Sequence, residues 1–319
     1  MRAYPWRARS EIAATAEIQD LFIRVGSIQQ EPERVCPACQ GAKHMGTETL
    51  FATVDGHKLA YHRSGSGEPM VLVHGITTYS FIWRDVLPFL EPHFDVITVD
   101  LLGCGESDMP LDVSYAIQDH ADRLYGFLRE LGITKLHLVG HDLGGGVSQI
   151  FAVRHPEMLL DLALINSVGY DFWPVQPITA LRTPIIRQLL MASFDLGTFR
   201  LVVKRGLYHK EKMTPELMTQ FMKPMSTSTG RKAFMHFARC LDNHNLTDIA
   251  NELHRLALPT LVVRGDADPY LSPAIAEKLA EQLPDARYEH IATASHFAQI
   301  DEPERLSQLI NDFASERRA

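Results

Sequence analysis

The chain has 319 residues, 45% of them apolar and 22% charged, and a formal net charge of −8. A chain of this kind buries a large core, and its acidic balance removes the electrostatic ground for a nucleic-acid or anionic-membrane partner, leaving small neutral molecules as expected ligands. No apolar run reaches the roughly eighteen residues of a membrane span, and the four cysteines are too scattered for a secreted disulfide framework, so the expected compartment is the cytoplasm.

Residues 1–46 read as an extension. Arg2, Arg7 and Arg9 are followed by Glu11, Glu17 and Asp20 rather than by the apolar segment of a signal peptide. Ile12, Ile18, Leu21, Phe22 and Val25 suggest one amphipathic helix, and residues 31–46 are rich in turn formers. From Thr49 the pattern changes. Thr49 to Val54 and Lys58 to Arg63, separated by Asp55-Gly56, predict a β-hairpin, and Met70 to Val73 and Val96 to Val99 predict short strands buried on both faces. Helical spacing over Phe81 to Leu90, Ile117 to Leu131 and Val147 to His155 alternates with strands at Leu136 to Val139 and Leu162 to Ile165. Strands alternating with helices imply an α/β fold with a mostly parallel, doubly wound sheet. The rhythm stops near Tyr170 and resumes at Thr260 to Val263, Arg287 to Ile291 and the helix Glu304 to Phe313. The core is thus expected at 47–169 and 252–319, with a helical lid over 170–251. The stripes Met213, Leu217, Phe221 and Phe234, Phe237, Leu241 in that insertion read as packing rather than as a cofactor box.

The sharpest chemical signal is Val139-Gly140-His141-Asp142-Leu143-Gly144-Gly145-Gly146, between an apolar strand and a helix. Glycines two places either side of Asp142 allow strand and helix to approach around a strained turn that exposes the central side chain, the nucleophile-elbow layout with Asp in the usual place of Ser. The helix that follows directs free N–H groups and the positive end of its dipole at the same spot. An N-capping Asp in a glycine-rich turn is the structural alternative. Downstream, the strand Leu261-Val262-Val263 runs into Arg264-Gly265-Asp266-Ala267-Asp268, and Ala294-Ser295-His296-Phe297 follows the next strand. The order nucleophile, acid, histidine is the one this arrangement requires, and all three positions fall at the carboxyl ends of strands. His296 is the expected base, with a satisfied buried histidine as the alternative. Val73-His74-Gly75-Ile76 ends an earlier strand, so the amides of Ile76 and Leu143 are the expected oxyanion hole, with His74 buttressing the loop. Ser148 lies too far into the helix to replace Asp142.

An aspartate attacking an acyl carbonyl would give a costly mixed anhydride, whereas attack on a saturated carbon gives an ordinary ester. The expected reaction is therefore alkylation of Asp142 by an organic electrophile, followed by hydrolysis by a water that His296 activates, with Asp268 orienting the ring. No metal or organic cofactor is required.

From Thr49 onward the chain resembles the epoxide hydrolase and haloalkane dehalogenase branch of the α/β-hydrolase superfamily. The resemblance rests on His74-Gly75 with Trp83, on Asp100-Leu101-Leu102-Gly103-Cys104-Gly105-Glu106-Ser107-Asp108, and on Gly140-His141-Asp142-Leu143-Gly144-Gly145. It implies an Asp-His-acid triad under a helical lid, and it selects Asp268 over Asp266 because the family's acid lies three places after the turn glycine. The departures are informative. The branch's dehalogenases bind halide through a Trp after the nucleophile and often an Asn after His-Gly, where this chain has Leu143 and Ile76; fluoroacetate-type enzymes place arginines after the nucleophile, and none stands there. Epoxide hydrolases carry a Pro where this chain has Thr77, and they protonate the epoxide oxygen with lid tyrosines. Tyr208 and Tyr170 are the residues available for that role, Tyr208 being preferred, although a packed amphipathic tyrosine explains either. An epoxide hydrolase is the leading expectation, with a haloalkane dehalogenase or another α/β-hydrolase as alternatives, and from a different class a catalytically silent ligand-binding protein of the same fold. Cys36-Pro-Ala-Cys39 with His44 has the spacing of half a zinc or redox site but no clear second half, so a surface turn is the default. Monomer and homodimer are both open.

Overall fold

The computed structural model describes residues 48–171 and 197–316. Eight strands form one sheet in the order β1-β2-β4-β3-β5-β6-β7-β8: β1 (Leu50–Val54), β2 (His57–Gly65), β3 (Glu68–Val73), β4 (Phe94–Val99), β5 (Leu136–Asp142), β6 (Leu159–Ser167), β7 (Thr260–Gly265) and β8 (Ala286–Ile291). β1 and β2 form the expected hairpin, with Val54 opposite His57. The two-residue turn has positive φ at both Asp55 (52°) and Gly56 (81°), as a hairpin matched to strand twist requires. β2 pairs antiparallel with β4, and every later pairing is parallel.

Expected strands and observed strands coincide in place, but most of the observed ones are longer, because backbone pairing continues where the side-chain pattern turns polar. β5 shows this best. It continues from Val139 through Gly140 and His141 to Asp142, and all seven of its residues are buried. Its register against β6 sets His137 beside Asp161, whose Oδ2 lies 2.7 Å from His137 Nδ1 in a buried contact. A polar pair inside an apolar sheet stabilises one register over its neighbours, since slippage would leave both groups unsatisfied.

Helices cover both faces: α1 (Leu87–Leu90), α2 (Ile117–Glu130), α3 (Leu143–Arg154), α4 (Thr198–Arg205), α5 (Pro215–Met222), α6 (Ser228–Cys240), α7 (His244–Thr247), α8 (Ala250–Leu253), α9 (Pro273–Gln282), α10 (Ala298–Asp301) and α11 (Pro303–Ser315). The single helix expected over Phe81 to Leu90 is instead a 3₁₀ turn at Ser80–Trp83 and the one-turn α1, which carries Pro88 at its second position. A proline lacks the N–H that would have joined the two pieces. α3 is buried from Leu143 to Ala152, so no face of that stretch is open to solvent, and it runs directly out of β5.

Between β6 and β7 the chain leaves the sheet and forms α4 to α8. Met213, Leu217, Phe221, Phe234, Phe237 and Leu241 from this insertion are buried in the same apolar cluster as the sheet. Each fully buried large apolar side chain contributes about 1.5–3 kcal/mol, so the insertion is held chiefly by packing. The N-terminal extension with Cys36, Cys39 and His44, and the stretch 172–196 that begins the expected lid, lie outside the described residues. Among the described residues no helix is long and apolar enough to cross a membrane, and no cluster of His, Cys, Asp and Glu has the makings of a metal site.

Candidate active site

The strand order reverses at β3, whose two neighbours are β4 on one side and β5 on the other. Helices diverge to opposite faces at such a switch point, which opens a crevice at the carboxyl ends of the strands. Ile76 follows β3 and Asp142 ends β5, so both line that crevice.

Asp142 has φ 53° and ψ −120°, a conformation that costs a non-glycine residue about 1–3 kcal/mol. The elbow is enforced by its surroundings. A Cβ on Gly140 would stand 2.6 Å from the Gly144 carbonyl oxygen, and one on Gly144 would stand 2.4 Å from the carbonyl oxygen of Val73. Only glycines let α3 start this close to β3 and β5. The Ile76 N–H donates to Asp142 Oδ2 at 3.1 Å, and the adjacent Leu143 amide also favours the ionised carboxylate. Burial pushes the Asp142 carboxyl above its ordinary pKa, against the opposing pull of His296 and of these two amides.

Across the crevice, His296 Nδ1 lies 3.0 Å from Asp268 Oδ2. Asp268 also accepts from the Tyr270 and Leu271 N–H groups at 2.8 and 3.2 Å. Burial alone would raise Asp268; the charge and hydrogen bond of His296 and these amides outweigh it and hold the carboxyl below its usual range. An ionised carboxylate only accepts, so His296 carries its proton on Nδ1 and presents Nε2 as the basic nitrogen. For His296 the balance also runs against burial. Desolvation lowers its pKa, but Asp268, and Asp142 behind it, raise the net value above that of an ordinary histidine.

The frame around these groups is polar and fixed. Leu101 N–H donates to His74 Nε2 at 3.0 Å, which leaves the ring proton on Nδ1, 2.8 Å from the Gly75 carbonyl. His74 therefore braces the loop that carries Ile76. Asp100 accepts from Ser80 N–H at 2.7 Å and Glu106 N–H at 2.8 Å, closing the glycine-rich loop behind it. His141 Nε2 lies 2.9 Å from the His296 carbonyl and burial pushes its pKa down to about 3, so it is a neutral donor to the backbone of His296. Asp266 is exposed and meets His290 at 2.9 Å, Ser148 donates to the Gly144 carbonyl within its helix, and Cys104 is buried with its thiol pKa pushed up by burial.

The α/β hydrolase fold family model matches residues 68–303, a span that contains every group just described. The chain belongs to this family. Curated relatives of the hydrolase are distant: 27% identity over 280 residues to a cis-3-alkyl-4-alkyloxetan-2-one decarboxylase of Shewanella oneidensis (83% of this chain, 88% of the relative), 28% to a 2-hydroxymuconate semialdehyde hydrolase of a Pseudomonas strain (88% and 97%), and 26% to epoxide hydrolase 3 of Xenopus tropicalis (89% and 82%). Among solved structures, the haloalkane dehalogenase DbeA of Bradyrhizobium elkani superposes with a TM-score of 0.76 at 26% identity, over 85% of this chain and 98% of that one. Relatives from the epoxide hydrolase and haloalkane dehalogenase branch are therefore among those the hydrolase resembles, as its motifs implied.

The two tyrosines expected as proton donors of the hydrolase take the following places. Tyr208 turns its amide inward to the carboxylate of Asp301, and its ring lies 44% exposed on the surface against His209. Tyr170 sends its hydroxyl to the Lys278 carbonyl at 3.4 Å, with the Lys278 ammonium over its ring. Neither tyrosine hydroxyl is hydrogen-bonded to Asp142. The sequence reading missed Asn166. This residue is the penultimate one of β6, with φ 39°, donates to Asp268 Oδ2 at 3.0 Å and to the Ser295 carbonyl at 2.9 Å, and accepts from the Gly265 N–H at 2.8 Å. One side chain thus ties three segments around the Asp268–His296 pair. Its only signal in the sequence is an Asn directly after the apolar run Leu162 to Ile165.

Proposed function

We propose that the hydrolase opens a small organic electrophile by forming a covalent alkyl ester on Asp142 and then hydrolysing it, with His296 as base, Asp268 as its orienting acid and the amides of Ile76 and Leu143 as oxyanion hole. The observation that carries this reading is the grip on Asp142. With Oδ2 held by the Ile76 amide, the other oxygen is free to attack a saturated carbon, and Oδ2 becomes the ester carbonyl oxygen. In the second step His296 Nε2 takes a proton from water, the water oxygen adds to the Asp142 carbonyl carbon, and negative charge builds on the oxygen the amides already face. A donor of that kind contributes about 2.7–4 kcal/mol. Collapse of the intermediate expels the alkoxide, which takes the proton from His296, and leaves Asp142 as the acid, which loses its proton to solvent and is restored as the carboxylate.

The leaving group narrows the electrophile. A halide would need donors where this chain has Leu143 and Ile76, so a strained oxygen ring, whose opening is driven by its own strain, fits better. An epoxide is the first such ring. Its opening leaves a basic alkoxide that wants a proton, yet Tyr208 and Tyr170 point elsewhere, and the sequence from 172 to 196 holds no tyrosine. That observation favours a second reading: a β-lactone attacked at its alkyl carbon releases a carboxylate, which needs no acid. The relative named for an alkyloxetanone acts on a ring of this class. The scatter of cysteines supports a cytoplasmic setting for either.

The test is His296→Gln incubated separately with epoxides, β-lactones and haloalkanes, followed by intact mass and peptide mapping. The reading predicts a stable adduct on Asp142. Addition of the whole epoxide or lactone mass identifies a ring-opening enzyme, and alkylation with equimolar halide release identifies a dehalogenase. No adduct, with the wild type turning over one of the panels, removes the covalent mechanism. No adduct and no turnover, with ligands still bound, favours the silent binding protein.

A further inference from the structure

The loop that carries His296 is held by a buried carboxylate with no place in the chemistry above. Asp301, at the end of α10, is almost wholly inaccessible to solvent. Its Oδ2 accepts from the Ser295 N–H at 2.9 Å, on the residue preceding His296. Its remaining capacity goes to the insertion. Tyr208 N–H lies 2.9 Å from Oδ1 and 2.8 Å from Oδ2, and His209 N–H lies 3.0 Å from Oδ1. One side chain thus binds three backbone amides from two segments, Tyr208–His209 and Ser295, that are far apart in sequence, each bond being charge-assisted.

Other bonds between the same two segments show that this is a built junction. The Phe297 N–H donates to the Gly206 carbonyl at 3.1 Å. Lys212 Nζ donates to the carbonyls of Ile300 and Asp301 at 2.9 and 2.6 Å, at the carboxyl end of α10 where a cation is favoured. A Cβ on Gly206 would stand 2.7 Å from the Phe297 ring and 3.1 Å from the Tyr270 ring, so the insertion reaches the loops of both base and acid at once. On the far side, Ser295 Oγ donates to the Ala267 carbonyl at 2.9 Å.

We infer that Asp301 is a positioning residue: through Ser295 it sets where His296 stands, and through Tyr208 and His209 it makes that placement depend on the docked insertion. This inference rests on the covalent reading for its kinetic consequence, though not for its structural one. Alkylation of Asp142 needs no base, whereas hydrolysis of the ester needs His296 Nε2 within reach of a water. Loosening the Ser295–Phe297 turn therefore slows the second step and spares the first. An apo enzyme tolerates such a change without loss of fold more readily at Asn than at Ala, since Asn retains one acceptor oxygen in the same shape.

The experiment compares wild type, Asp301→Asn and Lys212→Met, each checked for folding by circular dichroism. Rates of adduct formation and adduct loss on Asp142 are followed by rapid-quench mass spectrometry with the electrophile that labels His296→Gln. D301N is expected to slow adduct loss about tenfold or more while formation stays within about threefold, so that adduct accumulates; K212M, which cuts the junction from the other side, shows the same pattern to a smaller extent. Equal slowing of both steps, or adduct loss at the wild-type rate in both variants, overturns the inference. The titration of His296, followed by ¹⁵N-resolved NMR of the histidine rings, needs no substrate. It is expected to shift toward the ordinary histidine value in D301N as contact with Asp268 loosens, and an unshifted titration overturns the inference even where Asp142 takes no adduct. Absence of adduct in His296→Gln, by contrast, counts against the covalent mechanism alone.

Discussion

The two halves of the crevice are built in opposite ways. On the β3–β5 side the groups are mostly backbone, placed by the ends of adjoining strands: Asp142, the Leu143 amide one residue on, and the Ile76 amide 66 residues back, held by a strained turn and glycines that admit no side chain. On the β7–β8 side the groups are side chains assembled over long sequence distances. His296 meets Asp268, Asp268 meets Asn166, and the His296 loop is tied by Asp301 to the insertion and by its own carbonyl to His141. The Asp142 half is set by backbone at the ends of adjoining strands. The His296 half depends on a set of bonds that can be cut one at a time.

Asp142→Ala is the most damaging change to the first half. It should abolish adduct formation with any electrophile and lower turnover by roughly 10⁴-fold or more, in line with the loss of other enzymatic nucleophiles; product release against time, with intact mass in parallel, checks it. His296→Gln should lower turnover almost as far while leaving adduct formation nearly intact, which separates the halves by step rather than by size.

Asp268→Asn comes next, with an expected loss of about 10³–10⁴-fold in ester hydrolysis because the imidazole loses both its tautomer and its stabilising charge. The pH profile adds a sign to this. Hydrolysis requires neutral His296, whose pKa lies above the ordinary value, so the rate should rise with pH and level off only above that raised pKa. In Asp268→Asn the inflection should move down. Alkylation should be flat through neutrality and fail only in acid, although sooner than for an ordinary carboxylate, because burial raises Asp142.

Asn166→Ala should act more gently. It strips a partner from Asp268, Ser295 and Gly265, and each buried group left unsatisfied costs about 1–3 kcal/mol; a lower melting temperature and several-fold slower ester hydrolysis are expected, with alkylation unchanged. Tyr208→Phe is the smallest. With the ring on the surface, turnover should stay within about twofold of wild type, as for most exposed substitutions. A large loss there would restore Tyr208 as the proton donor and reopen the acid-assisted epoxide route.

The same contrast explains what was legible in the sequence. Strand positions, the hairpin and the elbow follow from periodicity, Asp55-Gly56 and the glycines around Asp142, all signals carried by neighbouring residues. Asp268 was chosen over Asp266 from a family spacing, and the geometry pairs Asp268 with His296 while Asp266 faces His290. Asn166, Asp301 and the role of His141 were not legible: Asn166 and His141 act through partners more than ninety residues away, and Asp301 joins nearby Ser295 to Tyr208 and His209, which are equally distant in sequence. The orientation of the tyrosines was not legible for a related reason: sequence places them in the insertion, but only the docking of that insertion through backbone amides decides which way Tyr208 faces.

The central claim is that Asp142, and not water, attacks the substrate. A single turnover with enzyme in excess in H₂¹⁸O, followed by mass analysis of the peptide containing Asp142 and of the product, tests it most directly. The account predicts ¹⁸O in the Asp142 carboxylate and none in the newly formed hydroxyl, because water adds to the ester carbonyl carbon and the substrate carbon keeps the original aspartate oxygen. Label in the product with an unlabelled Asp142 would contradict it and make Asp142 a base or a binding group instead.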